Sequence, residues 1–204
     1  MAPVDPTATQ YFDALPAGWQ SFPTCMVRAE LLAGLRERGV ITADSLPKRL
    51  HRVLEADPKD SEWIPEVIHT TAMLAVRDAR FGHGPAADTA FLSWMTQLNR
   101  DLFGSSRHAA ALAFTTPEQC VGRLSDIWST FRRGSSVVVE SSESGAATCV
   151  LTHPRALFAP VCIESHRRAV AILLVKAGAV QPNVGLRTEE DGDMARTILS
   201  ITWT

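Results

Sequence analysis

The apolar residues of this chain change their spacing once, at Gly134. Before it they recur every three to four residues, as on a helix with one buried face. After it they alternate, as on a strand with one buried face. Helices in one part of a chain and strands in another give segregated layers rather than alternating βαβ units. We therefore expect a single α+β domain over residues 1–204. Residues 1–134 form an N-terminal helical bundle. Residues 135–204 form a β-β-α-β-β unit, an antiparallel four-stranded sheet with one long helix packed on it.

Local signals set the boundaries. Residues 1–23 are proline-rich and read as irregular, with Tyr11, Phe12, Leu15, Trp19 and Phe22 as anchors. Thr24 is placed to cap a helix through Arg38, with Val27, Leu31 and Leu35 on one face and Gly39 as its left-handed exit. A second helix is expected from Leu46 to Ala56, stopped by Asp57-Pro58. A third opens at "WIPEV" with Pro65 in its first turn and runs to about Arg80. After the break "FGHGP", Asp88 is read as the cap of a fourth helix carrying Phe91, Leu92 and Met95, and "RHAAALAF" as a short fifth. Thr116, Pro117 and Gln119 form the start of a sixth helix that continues to Phe131. "SSVVVES" and "AATCVLTH" then read as a hairpin turning at Ser144-Gly145. Phe158 to Lys176 is the long helix, ended by Gly178. "NVGLRTEE" and "ARTILSITW" are the last two strands.

Composition narrows the function. With 46% hydrophobic residues the chain can build a substantial core, and its formal net charge of -2 lacks the basic excess of a nucleic-acid binder. The start, "MAPVDPTATQ", is neither basic nor apolar and does not read as a signal peptide. The longest apolar run, Ala169 to Val175, is far short of the roughly 20 residues that span a bilayer. Four scattered cysteines do not make a disulfide framework, so a soluble protein of the reducing cytoplasm is expected.

The closing helix–glycine–strand–turn–strand pattern, ending "ILSITW", resembles the ligand-binding fold shared by V4R domains, the trafficking-complex Bet3 subunits and the haem nitric-oxide-binding domains. Four longer segments, "GWQSFPTCMVRAELLAGLRERG", "SEWIPEVIHTTAMLAVRD", "FLSWMTQLNRDLFGSS" and "IWSTFRRGSS", resemble a family of myxobacterial proteins of similar length, a domain of unknown function present as many paralogues. The first resemblance implies a cavity for a small ligand, and a homodimer through helical faces. The second implies a sensory or adaptor role and no particular chemistry.

Candidate sites were weighed on residue spacing. Cys149 and His153 are four apart, as are Cys162 and His166. On a helix that spacing lets side chains converge, but on a strand it separates them by about 13 Å, too far for two ligands of one zinc ion. A site using Cys162, His166 and one strand residue stays open, but no metal is assigned here. His69 lies on an apolar helical stripe with Met73 and Val76, where a haem ligand or a hydrogen-bonded core histidine are both open readings. The haem nitric-oxide-binding family also uses a Tyr-x-Ser-x-Arg motif for the propionates. Here the single tyrosine, Tyr11, is followed by no such motif. There is no Gly-x-Ser-x-Gly elbow, "FGHGP" fits neither phosphate-loop pattern, and Ser105-Ser106 beside His108 lacks the geometry of a nucleophile and its base. Lys48, Arg49, His51 and Arg52 read as a solvated basic face rather than a DNA-reading helix. No catalytic residue is assigned.

The expected function is a non-enzymatic regulatory, adaptor or sensory module. It binds a small apolar ligand or a protein partner, with a second copy of itself as one such partner, and neither nucleic acid nor membrane. His69, Trp128, Phe131, Cys162 and His166 are the candidate pocket residues. The alternative is a haem or metal sensor on the same scaffold; no cofactor is assigned.

Overall fold

The computed structural model describes residues 7–39, 41–55, 62–108, 110, 112–113 and 116–204. Within them lie the helices α1 (Ala8–Asp13), α2 (Ala29–Gly39), α3 (Arg52–Glu55), α4 (Glu66–Phe81), α5 (Pro85–Gly104), α6 (Pro117–Gly122), α7 (Leu124–Phe131) and α8 (Pro160–Lys176). The strands are β1 (Met26–Arg28), β2 (Trp63–Pro65), β3 (Arg132–Arg133), β4 (Ser136–Glu143), β5 (Ala146–Pro154), β6 (Asn183–Asp191) and β7 (Met194–Thr202). The α+β class and the β-β-α-β-β order are as expected.

The chain resolves into two compact units. The first comprises residues up to Ser93 with Arg132–Gly134 and Ala156–Ile163; the second comprises Trp94–Phe131, Ser135–Arg155 and Glu164–Thr204.

In the second unit the four long strands form an antiparallel sheet in the order β4-β5-β7-β6. Gly145 (φ 80°) and Gly192 (φ 58°) make its two hairpin turns. The inner strand β7 buries alternate residues, including Ala195, Thr197, Leu199 and Ile201, the period-2 signature that made it legible. Edge strand β6 buries little beyond Val184 and carries Arg187, Glu189, Glu190 and Asp191, charges that discourage further strand pairing. The stretch read as one helix up to Phe131 is two. The Thr116 side chain does accept from the Gln119 N–H (3.3 Å), but the helical backbone lapses at Arg123 (φ -105°, ψ 4°), so α6 and α7 are separate.

The first unit departs further from expectation. Residues 26–28 do not continue a helix capped by Thr24. They form β1, centre of a three-stranded antiparallel sheet ordered β2-β1-β3, and α2 starts only at Ala29. Pairing with residues remote in sequence outweighs local helix preference there. Gly134 closes this sheet. Its φ is +74°, and a Cβ on it would lie 2.3 Å from the Thr24 carbonyl oxygen, so only glycine fits. The irregular start hides α1, capped by a Thr7–Gln10 capping box. Asp88 is not a cap: α5 begins at Pro85, and the Asp88 carboxylate accepts instead from Arg77 (3.0 Å). The second helix shrinks to a 3-10 turn, Lys48–Leu50, and α3; its expected stop at Asp57-Pro58 lies outside the described residues. Of "RHAAALAF", only Arg107 and His108 belong to a described helical turn, Ser106–His108.

Candidate functional site

The first unit buries an ionic cluster at the start of α4. The small sheet assembles it. β2 leads straight into α4, and the Glu66 N–H donates to the Cys25 carbonyl (2.9 Å), which fixes Glu66 at the first helical position. β3, paired with β1, brings Arg132 to the same place. One Glu66 oxygen meets His69 Nδ1 at 3.2 Å, and the other meets Arg132 Nε at 3.4 Å. The Glu66 side chain is 2% exposed and that of His69 5%. Burial alone would push the Glu66 carboxyl up, but Arg132 and His69 more than offset it and hold it below the ordinary carboxylate range. An ionised Glu66 only accepts, so His69 Nδ1 carries a proton and donates to it.

Tyr11 lies beside this cluster. Its hydroxyl donates to the Leu157 carbonyl (2.7 Å), which also accepts from the Thr70 hydroxyl (3.3 Å). Burial, with the nearby Cys162, raises the Tyr11 pKa well above its ordinary value, so it stays a neutral donor. Cys162 itself is fully buried.

The second unit holds an aromatic group and a neutral polar chain. The Trp128 and His166 rings meet edge to face at 5.2 Å, and Trp128 Nε1 donates to the Ser135 hydroxyl (3.1 Å). Phe131 packs against His108 (4.9 Å) and Phe103 (6.4 Å). On β5, His153 Nδ1 donates to the Pro154 carbonyl (2.9 Å). Its Nε2 accepts from Thr197 (3.3 Å), whose oxygen is 3.0 Å from that of Thr188. Burial lowers the His153 pKa, in keeping with this neutral tautomer. Cys149 is also buried on β5, and burial pushes its thiol up to about 11.

The five pocket candidates therefore divide, His69 and Cys162 in the first unit, Trp128, Phe131 and His166 in the second. Trp128 and His166 are in contact, and Phe131 packs on other rings. Sequence reasoning missed Glu66 and Arg132, the partners that give His69 its chemistry. Glu66 was visible as the residue three before His69, whereas Arg132 reaches it only through a sheet too short to leave a periodic trace. Among the described residues, no three His, Cys, Asp or Glu side chains cluster to hold a metal ion, and no helix is long and apolar enough to cross a membrane.

The sequence matches no family model and no curated protein. Solved structures match it in fold. One is an oxygen-binding H-NOX domain related to soluble guanylate cyclases, in its oxygen complex: 10% identity over 85% of this chain and 91% of that one, TM-score 0.58. Another is an H-NOX protein used to probe haem distortion: 9% identity, 85% and 91% covered, TM-score 0.59. A third is a mutant of the T. Tengcongensis H-NOX: 9% identity, 86% and 94% covered, TM-score 0.59. The likeness to the haem nitric-oxide-binding fold, expected from the last strands, thus extends over most of the chain. At this identity it is a likeness of fold.

The donor set can be tested against haem. His69 could hold the haem iron: a carboxylate that accepts from Nδ1 is how metal-binding imidazoles are commonly oriented, and Nε2 would then be the coordinating atom. The propionate side departs from the family pattern, because Tyr11 heads no Tyr-x-Ser-x-Arg motif and its hydroxyl is engaged by Leu157.

Proposed function

We propose that this chain is a sensory module rather than an enzyme, and that its ligand is haem, bound through His69. The observation that carries the reading is the buried Glu66–His69 pair on an H-NOX-like fold. A bound haem would supply an iron centre able to take a diatomic gas. The chain's own residues do the rest. Glu66 orients the imidazole and fixes its tautomer, and Arg132 keeps Glu66 ionised so that it can do so. Cys162, in the same unit, belongs to the same proposal as a pocket residue; Trp128, Phe131 and His166, in the other unit, do not enter it.

Titrating the purified protein with haem tests this. A saturable Soret band at one haem per chain, distinct from that of free haem, is expected. A spectrum that stays that of free haem while the protein remains folded would overturn it. A second reading rests on the missing Tyr-x-Ser-x-Arg motif: the same scaffold holds a small apolar ligand without iron, or a protein partner. Native mass spectrometry of protein taken directly from its host separates the two by the mass that stays bound.

A further inference from the structure

The long helix α8 is apolar almost all round from Ala169 to Val175, yet only part of that surface is covered. Leu173, Leu174 and Ala177 are buried, whereas Val175 is 59% exposed. In the second unit a groove of about 610 Å³ runs between α8 and the end of α5. Its α8 wall is one helical stripe, Arg168, Ala171, Ile172, Val175 and Lys176, spaced i, i+3, i+4, i+7 and i+8. Its α5 wall is another, Thr96, Arg100, Phe103 and Gly104. A Cβ at Gly104 would meet nothing within 4 Å, so the groove stays open there.

The charges on this groove have one sign. Arg100, Arg167, Arg168 and Lys176 line it and no acidic residue does. Glu164 engages Arg167 and Arg168 from outside the lining. Arg100 and Lys176 are exposed and make no ion pair among the described residues. A cationic rim over an apolar floor, on a chain of net charge -2, complements one class of ligand.

We infer that this groove binds an amphiphilic carboxylate, its head on the Arg100 and Lys176 cations and its chain along Phe103, Ala171, Ile172 and Val175. The volume lies within the range of small-ligand sites, roughly 300–1,000 Å³. The α8 stripe spans eight residue steps, about 12 Å at 1.5 Å per residue. That length suits an extended chain of roughly ten carbons, given carbon–carbon bonds of about 1.5 Å. The site shares no residue with the Glu66–His69 pair, so neither proposal depends on the other.

Isothermal titration of the full chain with decanoate, below its micellar concentration, tests the inference. One decanoate per chain is expected. Arg100→Glu and Lys176→Glu should each weaken it by about tenfold, as loss of a charge-assisted contact does. Gly104→Phe should block it without altering charge, and circular dichroism checks that each variant keeps its fold. Decyltrimethylammonium and butyrate should not bind. Equal binding of the decyl cation would leave an apolar groove without charge selection, and equal binding of butyrate would leave a bare anion patch; either overturns the inference. Failure of decanoate overturns it too, including where anionic phospholipid vesicles or an acidic amphipathic peptide bind instead.

Discussion

The two units solve the same problem, buried polarity, in opposite ways. The first buries charged groups and pairs them: Glu66 with Arg132, and Arg77, 1% exposed, with Asp78 and Asp88. The second buries groups that titrate and keeps them neutral. His153 sits in a hydrogen-bond chain, and burial pushes the Cys120 and Cys149 thiols up to about 12 and about 11. A neutral network costs little to keep and does little chemistry. A buried ionic cluster is expensive to desolvate, and stability alone does not account for it, since an apolar core of similar shape would serve as well. That contrast is why the Glu66–His69 pair, and not His153, is placed at the centre of the proposed function.

The contrast can be broken at Glu66 first. Glu66→Ala removes the carboxylate from a buried Arg132 and should cost about 3–5 kcal/mol in urea unfolding. Replacing both Glu66 and Arg132 by apolar residues should cost less than Glu66→Ala alone, because no charge is then left facing an empty partner position. Glycine substitutions come next. Gly134→Ala adds a Cβ against the Thr24 backbone in a left-handed conformation and should cost about 3 kcal/mol. At Gly192, equally left-handed but with open space around the Cβ, the same change should cost about 1 kcal/mol.

In the second unit, Thr197→Val takes the donor from His153 Nε2 and the partner from Thr188, a loss of about 1–2 kcal/mol. The pH dependence should separate the units as well. The folded pKa of His153 lies below its ordinary 6.5, so its contribution is complete above that pH and is lost as the pH falls below it. Glu66, with its pKa depressed from 4.5, contributes above that value and loses its contribution only at lower pH. Urea midpoints measured from about pH 8 to pH 3 should therefore fall in two stages, the first absent in His153→Gln. The smallest effect is kinetic: at about pH 8 Cys120 and Cys149 should not react with a thiol reagent until the protein is unfolded.

How much of this was legible in the sequence follows the same division. The four strands of the second unit are eight or nine residues long, and β5 and β7 alternate clearly enough to be read with their turns. Strands of two and three residues in the first unit carry no readable period, so Met26–Arg28 passes for helix and the sheet that brings Arg132 to Glu66 leaves no trace. The Thr7–Gln10 capping box is readable but hidden by the prolines around it. His69 stands out as a polar residue on an apolar stripe. Its chemistry depends on Arg132, which lies beyond three further α-helices in the chain, and spacing along one helix cannot reveal such a partner.

The most direct test compares histidines from the two units after loading with haem. His69→Ala should abolish the bound Soret band, His153→Ala should leave it, and Glu66→Gln should keep the band with affinity reduced roughly 10- to 100-fold, as loss of an orienting partner does. An unchanged Soret band in a folded His69→Ala protein would contradict the assignment of the ligand to the buried ionic cluster.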